Sequence, residues 1–207
     1  MSEELNAVRE MVVGVDEVGR GPLIGPVVAA AVVLPDNHAI VGLADSKKLT
    51  PKRREKLAIE IQAKAVVWAI SEASEQEIDA INILQASLLA MQRAVEKAQS
   101  IVSRDSEAVI TKALIDGNKI PKLNIAAEAI VKGDTKIEEI SAASIIAKVA
   151  RDKMMVELDA LYPEYGFASH KGYPTKQHFA ALAKYGVLPQ HRRSFSPVRK
   201  LIESLVR

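Results

Sequence analysis

"MVVGVDEVGRGPLIGPVVAAAVVLP", residues 11–35, holds two apolar runs joined by a loop with three glycines. Both runs are strand-sized, rich in Val or Ala, and bounded by turn residues, so they read as two buried strands. Their link is too tight for a parallel crossover, which makes the sheet they open a mixed one. The first run ends in Asp16 and Glu17, adjacent acids that a core tolerates only if something offsets their charge. Alternation along a strand sends the two side chains to opposite faces.

Downstream, "AVVWAIS" (65–71), "AVITKALIDGN" (108–118) and "NIAAEAIVKGD" (124–134) repeat the strand pattern. Between them lie helices. Thr50 caps and Pro51 starts the first, with Leu57, Ile59 and Ile61 as its buried face. Ser74 and Glu77 form the capping box of a long second helix, whose Leu84, Leu88, Met91 and Val95 recur at helical spacing. A third helix begins at "IEEISAASIIAKVARD". Its small residues Ser141, Ala142, Ala143, Ser144 and Ala147 suit close approach to a sheet. The order predicts an α/β fold with a mixed sheet. Residues 162–195 concentrate tyrosine, phenylalanine and histidine around one short helix near 176–185.

Three strand-like runs thus end in acid, at Asp16-Glu17, Asp116 and Asp134. Carboxylates gathered at one sheet edge, in a chain without cysteine, suit a hard cation of the Mg²⁺ or Mn²⁺ type. Two such ions about 3.5–4 Å apart support in-line phosphodiester cleavage. Asp116-Gly117 also suits a turn, and Gly133-Asp134 a helix cap. "GRGPLIG" misses the dinucleotide fingerprint by one residue and leads into a strand rather than a helix. Arg20, between two glycines, suits either a phosphate or sugar contact or a solvent-exposed turn. Tyr173 in "SHKGYPTKQH" suits base or sugar stacking, or packing within a loop. Arg192 and Arg193 suit phosphate contacts or docking of the C-terminal segment.

Charge is uneven along the chain. Residues 1–147 carry 17 Lys+Arg against 21 Asp+Glu, and residues 148–207 carry 11 against 5. The basic last third points to a polyanionic partner. No apolar stretch approaches the roughly 18 residues of a membrane span, and no secretory leader opens the chain. A soluble, cytoplasmic protein is expected.

The segments "GVDEVGRGPLIGPVVAAAVVL", "DSKKL", "INILQASLLAM", "LIDGN", "AIVKGD", "ISAASIIAKVARD", "YGFASHKGYPT" and "HRRSF" resemble, in order, those of the ribonuclease HII family. The resemblance covers residues 12 to 198. It implies a ribonuclease H-like fold, a five-stranded mixed sheet flanked by helices, with a helical C-terminal part from about residue 161. One domain over 1–207 follows, monomeric as in the family. The implied activity is endonucleolytic cleavage of RNA in RNA–DNA hybrids. It includes incision 5′ of a ribonucleotide embedded in duplex DNA, leaving 5′-phosphate and 3′-hydroxyl ends.

By the same resemblance Asp16, Glu17, Asp116 and Asp134 bind two Mg²⁺ or Mn²⁺ ions. Gly19, Arg20 and Gly21 form the motif that meets the ribose 2′-hydroxyl, and Tyr173 stacks near the next deoxyribose. Lys47, Lys48, His170 and Lys171 line the duplex track, and replication or repair proteins can recruit the enzyme. Three rivals remain: a hybrid-binding module without catalysis, a resolvase- or transposase-like nuclease that cuts DNA without ribose, and an oxidoreductase, which the missing fingerprint disfavours.

Overall fold

The computed structural model describes residues 8–43, 49–104 and 108–205. Its strands are β1 (Arg9–Val18), β2 (Val27–Val33), β3 (Val67–Ala73), β4 (Ala108–Asp116) and β5 (Ala126–Ile130). They form one five-stranded sheet in the order β3-β2-β1-β4-β5. β1 pairs antiparallel with β2 and parallel with β4, so the mixed sheet pivots on the strand that carries the acid pair. The expected strand over 124–134 is shorter. It ends at Ile130, and Gly133–Thr135 forms a 3-10 turn.

Helices cover both faces. They are α1 (Pro51–Lys64), α2 (Glu75–Val102), α3 (Glu138–Leu161), and then α4 (Phe167–His170), α5 (Lys176–Tyr185) and α6 (Ser196–Leu205). The period-two pattern of β2 sorts its side chains. Val27, Ala29, Ala31 and Val33 join α2, whereas Ala30 and Val32 join α1 and α3.

Both expected caps are present: Thr50 accepts from Arg53 N, and Ser74 and Glu77 close a capping box. The face expected of α1 needs correction. Leu57, Ala58 and Ile61 are buried, and Ile59 is exposed, because a step of two turns a helix by about 200°. α2 is also not one straight helix. Asn82 sits at φ 68°, ψ 163°, and its side chain accepts from Leu84 N and Gln85 N, restarting the helix. Ala86, Ala90, Ala94 and Ala98 then face the sheet beside Met91 and Val95. Leu84 and Leu88 are only half-buried and border a groove shared with Glu17 and Arg20.

α3 lies unusually close to β1. A Cβ on Gly14 would fall 2.3 Å from the Glu139 carbonyl carbon, so any larger residue pushes helix from strand. Ser141, Ala142, Ala143 and Ala147 are buried, as their size suggests, and the three alanines pack with Ala30 and Val32 of β2 and with α1. Two residues beyond Gly14, on the same face, stands Asp16. No helix among the described residues is long and apolar enough to cross a membrane.

Candidate active site

A cavity of about 320 Å³ at the C-terminal ends of β1 and β4 is lined by Asp16, Glu17, Val18, Arg54, Asp116, Ser144, Ile145 and Lys148. Asp16 faces α3, and Glu17 also borders the groove under α2, so strand alternation splits the pair around one edge. Asp16 is buried and accepts from Glu17 N at 2.8 Å. Burial raises its pKa well above the usual carboxylate value, and the nearby Glu17 and Asp116 charges raise it further. The Glu17 pKa is raised as well, mainly by burial and then by Asp116, against the lowering pull of Arg20. The Arg20 guanidinium stands 3.3 Å from Glu17 and is half exposed.

Asp116 Oδ1 accepts from Gly133 N at 2.7 Å and Asp134 N at 3.4 Å. That bond ties the end of β4 to the 3-10 turn that carries Asp134. The turn reading of Asp116 and its site reading therefore coexist. Asp134 is buried beneath, and the cavity lining does not include it. Among the described residues, no three acidic or imidazole groups stand in a closed metal shell. One Asp116 oxygen is engaged by the turn amides of Gly133 and Asp134. The donor chemistry nevertheless fits a hard divalent cation: three carboxylates and a serine hydroxyl, all oxygen, line one cavity. Lys148, in the same wall, is paired with Asp152 at 2.6 Å.

Two buried arginines hold the adjoining glycine loop. Arg192 donates to the carbonyls of Gly19 (2.6 Å), Arg20 (3.0 Å), Pro22 (2.8 Å) and Gly25 (2.8 Å). Arg151 donates to Ile24, Pro26 and Lys171 carbonyls. With these carbonyls turned inward onto guanidinium groups, Arg20 projects outward. Gly19 has φ 95°, and a Cβ there would meet Arg151 Nε at 2.1 Å. Gly19→Ala is expected to destabilise by about 2–3 kcal/mol in urea melts. Tyr173 is partly exposed, and its ring lies 3.2 Å from where a Gly21 Cβ would stand.

The sequence model of the ribonuclease HII family matches residues 13–198. The chain belongs to the ribonuclease HII family. A ribonuclease HII from Polynucleobacter necessarius subsp. necessarius (strain STIR1) is 61% identical over 194 residues, 94% of this chain and 96% of that protein. Among solved structures, ribonuclease H2 from Pyrococcus horikoshii OT3 matches with TM-score 0.77 at 29% identity, covering 95% of this chain and 99% of that one. RNase HII from Archaeoglobus fulgidus, solved in complex with PCNA, matches with TM-score 0.68 at 27% identity, covering 92% and 96%. The fold is that of ribonuclease H, and membership of ribonuclease HII makes the chain a nuclease hydrolase.

The fold itself engages some of the residues that the sequence offers as substrate contacts. Lys47 and Lys48 lie outside the described residues. The first alternative for Arg192, a phosphate contact, is not met, because the side chain is fully buried under the glycine loop. His170 accepts from Gly172 N through Nδ1, and its Nε2 stands 2.9 Å from Tyr165 O, so the chain engages both ring nitrogens. Lys171 is half-buried and lends its carbonyl to Arg151. Arg54, Ser144 and Lys148 were missed. Arg54 is lost in the charge run "PKRREK", but Ser144 and Lys148 are four apart on α3, a spacing that puts them on one face.

Proposed function

We propose that the chain incises duplex DNA on the 5′ side of an embedded ribonucleotide, besides the ribonuclease H activity on RNA–DNA hybrids that family membership carries. The observation that supports this most is the adjacency of two parts: a cavity lined by three carboxylates, and an arginine-braced glycine loop that shares Glu17 with it through Arg20. Asp16, Glu17 and Asp116, with Asp134 on the turn that Asp116 grips, would hold two divalent ions of the Mg²⁺ or Mn²⁺ type. When bound, such ions supply activation of the attacking water and stabilisation of the leaving 3′-oxygen, which gives 5′-phosphate and 3′-hydroxyl ends.

The protein's own groups do the rest. Arg54 puts positive charge in the cavity wall, where a scissile phosphodiester needs neutralisation, and Lys148 lies beside it in its ion pair with Asp152. The inward carbonyls of the glycine loop let the backbone meet a minor groove closely, where one 2′-hydroxyl distinguishes ribose from deoxyribose. Tyr173, seated on Gly21, offers an exposed ring face to the neighbouring sugar. Lys171 adds electrostatic attraction to the duplex. The PCNA complex of the Archaeoglobus relative supports recruitment by a replication protein.

The deciding experiment is incision of a duplex carrying one ribonucleotide, with Mg²⁺, Mn²⁺ or chelator, mapping the cut. A single metal-dependent nick 5′ of the ribonucleotide and none in an all-DNA control is the expected result; cutting of the all-DNA duplex overturns it. Arg20→Ala should lower discrimination for the ribonucleotide by about tenfold while weakening all-DNA binding far less. Filter-binding of both duplexes measures this, and equal losses would count against the role.

A further inference from the structure

Three of the chain's four histidines meet behind Tyr173, and hydrogen bonds fix the tautomer of each. Leu188 N donates to His191 Nδ1 at 2.9 Å, so neutral His191 carries its proton on Nε2. That nitrogen stands 3.1 Å from His178 Nε2, which must therefore accept. The His178 proton is thereby placed on Nδ1, 3.0 Å from the Tyr173 carbonyl. The direction of donation runs without a break from Leu188 N–H through both rings to Tyr173. Reversing either ring would set two N–H groups or two lone pairs against each other.

His178 and His191 are fully buried, and burial pushes both pKa values down, His191 to about 3. Each ring thus keeps a single proton at neutral pH. His170 stacks on His178 at 4.7 Å with its own fixed order, Gly172 N–H to Nδ1 and Nε2–H to Tyr165 O. Tyr165 and Phe167 close the rest of the pocket. Leu23 N donates to Gly172 O, which joins the Tyr173 turn to the glycine loop.

We propose that His191 and His178 are positioning residues for the substrate sugar, a proton-ordered relay that holds the Tyr173 turn against Gly21. Adjacent residues of one segment then set both halves of the reader. Arg192 holds the glycine loop, and His191 holds the tyrosine through His178. The proposal rests on the reading of Tyr173 as a substrate contact.

The test uses the full chain and a duplex with one ribonucleotide. His191→Asn keeps an acceptor for Leu188 N but has no atom where Nε2 stood. It should raise KM about tenfold with kcat within about twofold of wild type. His191→Gln returns an amide N–H near the Nε2 position and should restore most of the KM. Equal behaviour of the two variants, or a fall in kcat alone, overturns the relay. Long-range ¹H–¹⁵N spectra of the wild-type protein should show His178 protonated on Nδ1 and His191 on Nε2; a His178 proton on Nε2 overturns it without any variant. Tyr173→Ala separates the two readings. If it leaves KM unchanged, Tyr173 is no substrate contact and the relay has no sugar to serve. If it raises KM while His191→Asn does not, only the relay fails.

Discussion

Replacing Asp16 with Asn is expected to lower kcat by at least about a thousandfold and, at the same time, to raise Tm by several degrees. The activity loss follows from the loss of one buried carboxylate from a set of three facing one cavity. Asparagine keeps the acceptor that Glu17 N uses, so the strand end retains its shape. The stability gain follows from charge. The folded-state pKa of Asp16 lies above its ordinary value of 3.8, with burial first and the Glu17 and Asp116 charges next as causes. Between the two values the folded state binds more protons than the unfolded one, so stability falls as pH rises through that window. At neutral pH the ionised group therefore opposes folding, and a neutral isostere relieves the strain. Thermal melts in EDTA measure it. Full Mg²⁺-dependent activity, or a Tm below wild type, would contradict the assignment.

Arg192→Ala should cost about 3–5 kcal/mol in urea melts and abolish incision. One guanidinium satisfies four loop carbonyls from inside the protein, and truncation leaves all four without that donor. Lysine cannot substitute, since its single ammonium lacks the planar fork that reaches both sides of the loop. Arg193→Ala is the internal control. Its side chain is exposed, and its contribution comes through the backbone N–H, which Asp79 accepts at 2.9 Å. It should change stability by no more than about 0.5 kcal/mol. Equal effects of the two alanines would remove the bracing role.

These neighbouring arginines mark where sequence reading stops. "HRRSF" shows two adjacent basic residues, and nothing local tells which one the fold buries, because the carbonyls that claim Arg192 lie about 170 positions earlier. The three histidines follow the same rule, since their order of donation depends on backbone amides at Gly172 and Leu188. The strands were legible, because apolar runs of strand length between turn residues have few other solutions. So were the acids that close β1 and β4, and the caps at Thr50 and Ser74, which act within a few residues, whereas Asp134 lies on a turn beyond its strand. Ile59 misled because it shares a two-residue step with Leu57 and Ile61, a strand period rather than a helical one. The break at Asn82 is hidden by a sequence that reads as continuous helix on both sides.

The brace on the glycine loop also sets a schedule. Leu23, Ile24 and Gly25 leave the ribosome early, yet they pair with Gln190, His191 and Arg192, which emerge well over a hundred residues later. At about 5–20 residues per second, the loop waits on the order of ten seconds or more for its partners. A nascent polypeptide can close its sheet during that interval, but it cannot yet order the loop beside the acids. The brace is thus complete only once Arg192 has been added, after the acids it stands beside have been synthesised, so a shorter nascent polypeptide holds its carboxylates without a fixed loop next to them.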